Sequence, residues 1–129
     1  MYEWREHTAE IELFVRASTP ADVFRDAADA FGRLVELASD GAHTARRLDV
    51  EGRDYASMLV EFLDDLIYLA DTDSFVPDEA RVELADGHLA AELDGRVTEL
   101  QPIVKAATYH DLEFREEDGA WEARVVLDV

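Results

Sequence analysis

Apolar and charged residues alternate over residues 10–17, EIELFVRA, with the aliphatic side chains at odd-numbered positions. A period of two is typical of a strand that buries one of its faces. A second alternation runs from Trp121 to Val129, so the sequence stops within an apolar strand. We therefore expect the last residues to be held in a sheet, although terminal residues usually fray.

Two longer stretches repeat apolar residues at spacings of three and four, which predicts two amphipathic helices. The first has Thr19 as its N-cap and is expected to end near Gly41. The second follows Asp54, another N-cap residue, and is expected to end by Ser74.

Shorter alternations predict the remaining strands. The pattern of two capped helices and several hairpins in 129 residues predicts a single α+β domain, residues 1–129. We expect an antiparallel-rich sheet with both helices packed on one face. The predicted strands and turns are residues 44–51, strands on either side of Asp86-Gly87, a second turn at Asp94-Gly95, Ile103–Tyr109 and the region near Leu112–Phe114.

The net charge of -19 arises from 31 acidic residues against 12 basic ones. These acids are spread along the whole sequence, and we interpret them as a halophilic acidic surface, because the Debye length falls to ~3 Å at 1 M salt. Mimicry of nucleic acid or recruitment of a basic partner is the alternative. The charge argues against direct binding to nucleic acid, which requires Lys and Arg patches.

The absence of cysteine excludes disulfides and thiolate metal sites. No apolar run approaches the length of a membrane span, and no basic leader precedes an apolar stretch at the start. We therefore expect a cytoplasmic protein that does not bind membranes.

Carboxylates at the two ends of the sequence are candidate metal ligands. Asp128 and the terminal carboxylate of Val129 offer hard oxygen donors, which suit calcium or magnesium once a third group joins them. Glu10 is the candidate third ligand, with Glu6, His7 and His110 as supporting residues; a surface network around His7 is the alternative. Converging carboxylates repel one another, so such a site requires a cation.

Lys105 is the only lysine, since all other basic residues are arginine. Its retention suggests that a compact ammonium matters at this position, although an ordinary surface lysine remains the alternative. His110 and Asp111 resemble an acid–base pair. However, no nucleophile elbow, HExxH motif or Gly-rich phosphate loop accompanies them, so a small metal-dependent hydrolase is the weakest functional hypothesis.

Segments along the whole sequence resemble the archease family in the order in which that family has them. The most specific are Lys105–His110 and the terminal Leu127–Val129. The segments are HTAE, PADVFRDAADAF, MLVEFLDDLIYLADTD and KAATYHDL followed by VVLDV.

This resemblance implies a protein cofactor of the GTP-dependent RNA ligase that joins tRNA exons, and not an enzyme. Such a protein promotes guanylylation of the ligase histidine and multiple turnover. The family's metal ligands fall on Glu10, Asp128 and Val129, and its functional lysine falls on Lys105. Glu10 and Glu6 stand where the family usually has Asp, so the cavity must accommodate a longer side chain. A general chaperone or binding module is the alternative function.

Overall fold

The computed structural model describes residues 1–7 and 9–129, with all of their side chains except that of His7. These residues form two helices and eight strands. In chain order the elements are β1 (Tyr2–His7), β2 (Glu10–Ala17), α1 (Pro20–Val35), β3 (Ala42–Glu51), α2 (Tyr55–Asp73), β4 (Phe75–Ala85), β5 (His88–Val97), β6 (Ala106–Ala107), β7 (Glu113–Glu117) and β8 (Ala120–Asp128).

The strands form two antiparallel sheets, where the sequence predicted one. The first has the order β1-β2-β8-β6, and β7 pairs with β8 beside β6. The second has the order β3-β5-β4. Both helices contact strands of both sheets, so the core of this α+β domain lies between the two helices and the two sheets. The predicted α+β class is confirmed.

The core is built from large side chains that the two periodic patterns had predicted. Phe24 and Phe31 of α1, Phe62 of α2 and Leu13 of β2 are all at most 1% exposed. Phe24 and Phe62 make an edge-on aromatic contact at 5.7 Å between ring centroids, a geometry that aromatic pairs prefer. Neither helix in the described residues is long and apolar enough to cross a membrane.

Both predicted N-caps are confirmed. The side chain of Thr19 accepts a hydrogen bond from the backbone N–H of Asp22 at 3.1 Å. Asp54 accepts one from Ser57 at 2.8 Å, and this bond holds the pKa of Asp54 below its usual value. Each cap satisfies a backbone N–H that has no partner within the helix.

The first helix ends at Val35, so the prediction that it continues to about Gly41 was wrong. Residues from elsewhere in the chain bind the backbone beyond this point. The N–H of Gln101 donates to the Val35 carbonyl at 2.8 Å, and the buried Arg96 donates to the Ala38 carbonyl at 2.7 Å. These tertiary hydrogen bonds hold an extended segment where local spacing favoured another helical turn.

The predicted turn at Asp94-Gly95 was also wrong, because β5 continues through it to Val97. Gly95 packs closely against the neighbouring strand, β4. An added Cβ would be 2.3 Å from the Val76 carbonyl oxygen and 2.6 Å from the Phe75 ring. This glycine permits close packing and does not reverse the chain.

Two further predictions at the sheet edges need correction. The first strand of the chain, β1, was not predicted, since only Tyr2 and Trp4 supply its apolar face. Conversely, only Ala106–Ala107 is regular strand within the predicted Ile103–Tyr109. The strand at the end of the chain is confirmed at Ala120–Asp128.

Gly32 provides a test of the contact between α1 and β4. An added Cβ would lie 2.1 Å from the backbone oxygen of Pro77, which cannot move without shifting the strand. Alanine normally stabilises a helix by about 1 kcal/mol over glycine. We nevertheless expect Gly32→Ala to lower the free energy of unfolding by about 1–3 kcal/mol through overpacking, measured by urea denaturation. Stabilisation would contradict this packing.

Candidate functional site at the last strand

The last strand places the C-terminal residues next to the start of β2. In the antiparallel pairing of β2 with β8, Glu10 lies directly opposite Asp128. The α-carbons of such partners are ~5 Å apart, and both side chains project from the same face of the sheet. Two of the three predicted ligands are therefore cross-strand neighbours.

The last two residues are held by hydrogen bonds on opposite sides of β8. The N–H of Val129 donates to the Ala9 carbonyl at 3.2 Å, beside β2. On the other side, the N–H of Lys105 donates to the Asp128 carbonyl at 2.8 Å. This pairing fixes the terminus and brings Lys105 next to it, as the apolar alternation of the last strand had predicted for the terminus.

A cavity of about 610 Å³ opens at this end of the sheet. Its polar lining comes from Glu6, Glu10, Lys105 and Val129, four of the residues that the sequence singled out. The remaining lining is apolar. It consists of Ile11, Leu34, Pro102 and Ile103.

The carboxylates of Glu10 and Asp128 differ from that of Glu12, because they have no basic partner among the described side chains. Glu12, on the same strand, is 8% exposed and lies 3.2 Å from Arg5 and 3.5 Å from Arg124. Among the described side chains, no ion pair within 4.0 Å involves Glu10 or Asp128. Like charges opposite each other destabilise a strand pair, so this arrangement favours a bound cation.

The residues present fit a hard cation. Glu10, Asp128 and the terminal carboxylate of Val129 offer only oxygen atoms, the donors that calcium and magnesium prefer. In the described part of the chain, no three His, Asp or Glu side chains converge as a metal-binding group. The predicted set has only two such side chains, because its third donor belongs to the main chain.

The other candidate residues are less closely associated with the cavity. His110 lies 3.2 Å from Asp111, and both side chains are exposed, at 67% and 71%. Neither lines the cavity, so the acid–base pair is an exposed surface contact. His7 pairs with Glu10 in the register of β1 and β2, but its side chain lies outside the described residues.

Sequence reasoning missed Asp64 on α2. Its Oδ1 accepts a hydrogen bond from the N–H of Ala107 at 2.8 Å, and Ala107 is only 8% exposed. Since Ala107 lies two residues after Lys105, this bond attaches the lysine-bearing segment to the helix. In the sequence, Asp64 is an acidic residue beside the apolar stripe of α2. Such a residue looks the same as one on the solvent-exposed face of the helix.

The Archease protein family model matches residues 2–129, nearly the whole chain. The chain belongs to the archease family. The archease of Methanosarcina barkeri is 32% identical over 139 residues, covering 99% of this chain and 95% of the relative. That of Pyrococcus furiosus is 32% identical over 142 residues and covers both chains fully, at 100% each.

Solved structures have the same archease fold. The solution structure of Methanobacterium thermoautotrophicum protein 1598 has a TM-score of 0.80 at 28% identity, over 99% of this chain and 98% of that one. The Thermotoga maritima crystal structure, described as an archease and possible chaperone, has a TM-score of 0.70 at 18% identity, over 100% and 98% of the two chains. Because its identity is only 18%, the Thermotoga maritima structure shows a shared fold and nothing more.

We predict that Asp64 positions Lys105. Removing the acceptor in Asp64→Ala leaves a buried N–H without a partner, which costs about 1–3 kcal/mol. Asp64→Asn keeps an acceptor oxygen and should retain most of that stability. Hydrogen exchange at Ala107 should accelerate at least tenfold in the alanine variant and change little in the asparagine variant. An equally accelerated exchange rate in both variants would show that the carboxamide cannot replace the carboxylate. An unchanged rate in both would show that the bond does not protect this N–H.

Proposed function

We propose that this protein activates the GTP-dependent tRNA-splicing RNA ligase, promoting guanylylation of the ligase histidine and multiple turnover in exon joining. Membership of the archease family supports a role with a partner protein. The observation that carries the proposal is that Lys105 lines a single cavity with carboxylates that have no basic partner among the described side chains. The ligase itself, and not this protein, joins the two RNA ends.

The chemistry to be accelerated is nucleophilic substitution at phosphorus. The ligase histidine nitrogen bonds to the α-phosphorus of GTP, and pyrophosphate leaves. Negative charge on the phosphate oxygens favours nearby positive groups held in place before reaction. The exposed ammonium of Lys105 supplies such a charge, and its backbone bond to Asp128 fixes where its side chain begins.

The proposed metal site contributes rigidity. A divalent cation, calcium or alternatively magnesium, would be held by Glu10, Asp128 and the carboxylate of Val129. By neutralising their repulsion it would hold the first β2 residue against the end of β8, where Lys105 is attached. In this proposal the protein contacts the ligase and not the RNA, consistent with its net charge of -19.

Guanylylation of the purified ligase with and without this protein tests the function. Both Lys105→Ala and Asp128→Ala should reduce the stimulation at least tenfold, a loss of ~1.4 kcal/mol or more. Arg81→Ala is the matched control, since Arg81 is an exposed cation on the other sheet. No stimulation by the wild type, or full stimulation by both variants, would refute the proposal. Suppression of aggregation of unrelated proteins, unaffected by Lys105→Ala, would favour the chaperone alternative.

Calorimetric titration of calcium into chelator-treated protein tests the metal site separately. One site is expected, with binding lost or weakened at least tenfold in Glu10→Gln and Asp128→Asn. Glu83→Gln is the control, because Glu83 is exposed and lies on β4 in the other sheet. At 100 times the Kd the cation should stabilise the fold by ~2.7 kcal/mol. An unchanged titration in both site variants would eliminate these ligands.

A further inference from the structure

The apolar part of the cavity has no role in the proposed metal site or in phosphate chemistry. Ile103 is 38% exposed and Pro102 is exposed, while Leu34 contributes from the last turn of α1. Isolated exposed aliphatic residues are common and require no explanation. Here, however, they form one wall of the same cavity that contains Lys105.

This wall is fixed in place before any partner binds. The side chain of Gln101 donates to the Leu34 carbonyl at 2.7 Å, and its backbone N–H donates to the Val35 carbonyl at 2.8 Å. Both bonds join the segment before Pro102 to the end of α1. A preformed surface loses little conformational entropy on binding, which favours affinity.

The pleat of the sheet separates Glu6 from the proposed metal ligands. Glu6 lies opposite Ile11, whereas Glu10 lies opposite Asp128. Because successive residues of a strand face opposite sides of the sheet, Glu6 lies on the face of Ile11 and the apolar wall. Glu10 and Asp128 share the other face, and of these two only Glu10 lines the cavity. Thus Glu6 is available to a different ligand from the one that Glu10 would bind.

We propose that this wall and Glu6 form the docking site for a lysine- or arginine-bearing segment of the RNA ligase, an inference that rests on the proposed function. Such side chains combine an apolar stem with a cationic head. The stem packs against Ile103, Pro102 and Leu34, and the head pairs with Glu6. The site stays net negative with a divalent cation bound, because four carboxylates outweigh the cation and Lys105. A cavity of about 610 Å³ accommodates such a segment.

The test measures ligase guanylylation over a range of concentrations of this protein. Ile103→Ser and Glu6→Gln should each raise the half-saturating concentration, by about tenfold for Ile103→Ser, and leave the maximal rate unchanged. Lys105→Ala should instead lower the maximal rate. Val97→Ser is the matched control, since Val97 is also 38% exposed but lies on β5 in the other sheet. Thermal unfolding of each variant excludes loss of folding as the cause.

Direct binding of ligase to immobilised protein separates this inference from the proposed function. If the wild type binds the ligase without stimulating it, and Ile103→Ser weakens that binding, the docking site stands while the activation proposal fails. Equal half-saturating concentrations for Ile103→Ser and Val97→Ser would overturn the docking site. So would a dimer of this chain, detected by sedimentation, that Ile103→Ser dissociates without changing ligase binding.

Discussion

The pairing of β8 along both of its edges is the constraint on which the rest of the structure depends. The strand lies between β2 on one side and β6 and β7 on the other, so its backbone groups are satisfied up to the end of the chain. An edge position would leave the terminus free to fray. The central position holds Asp128 within the sheet, and the hydrogen bond from Val129 to Ala9 holds the residue that follows it.

The pairing of charges differs between the candidate site and the buried arginine of the other sheet. Arg96, which is 5% exposed, contacts both Asp78 and Glu36. Burying such a guanidinium is favourable only when its donors are paired. The candidate site contrasts with this arrangement, because the described part of the chain provides Glu10 with no arginine partner. Among the described side chains, Glu10 and Asp128 are therefore held opposite each other without the arginine pairing seen at Asp78 and Glu36.

Much of the fold could be predicted because local physics determines it. Capping by Thr19 and Asp54 and the period of each helix depend on neighbours within a few residues. The predictions that were wrong involved distant groups. Gly95 resembled a turn residue until Val76 was packed against it, and the end of α1 depended on Gln101 and Arg96.

The sequence by itself determined both helix starts, most of the strands, the acidic composition and the identity of the candidate residues, including the lone Lys105. Only the tertiary structure decided that Glu6 and Glu10 serve different faces, that Asp64 holds the lysine-bearing segment, and that an apolar wall completes the cavity. The physical reason is that periodicity and capping are short-range, whereas strand order and register are set by which long-range pairing buries the most apolar surface.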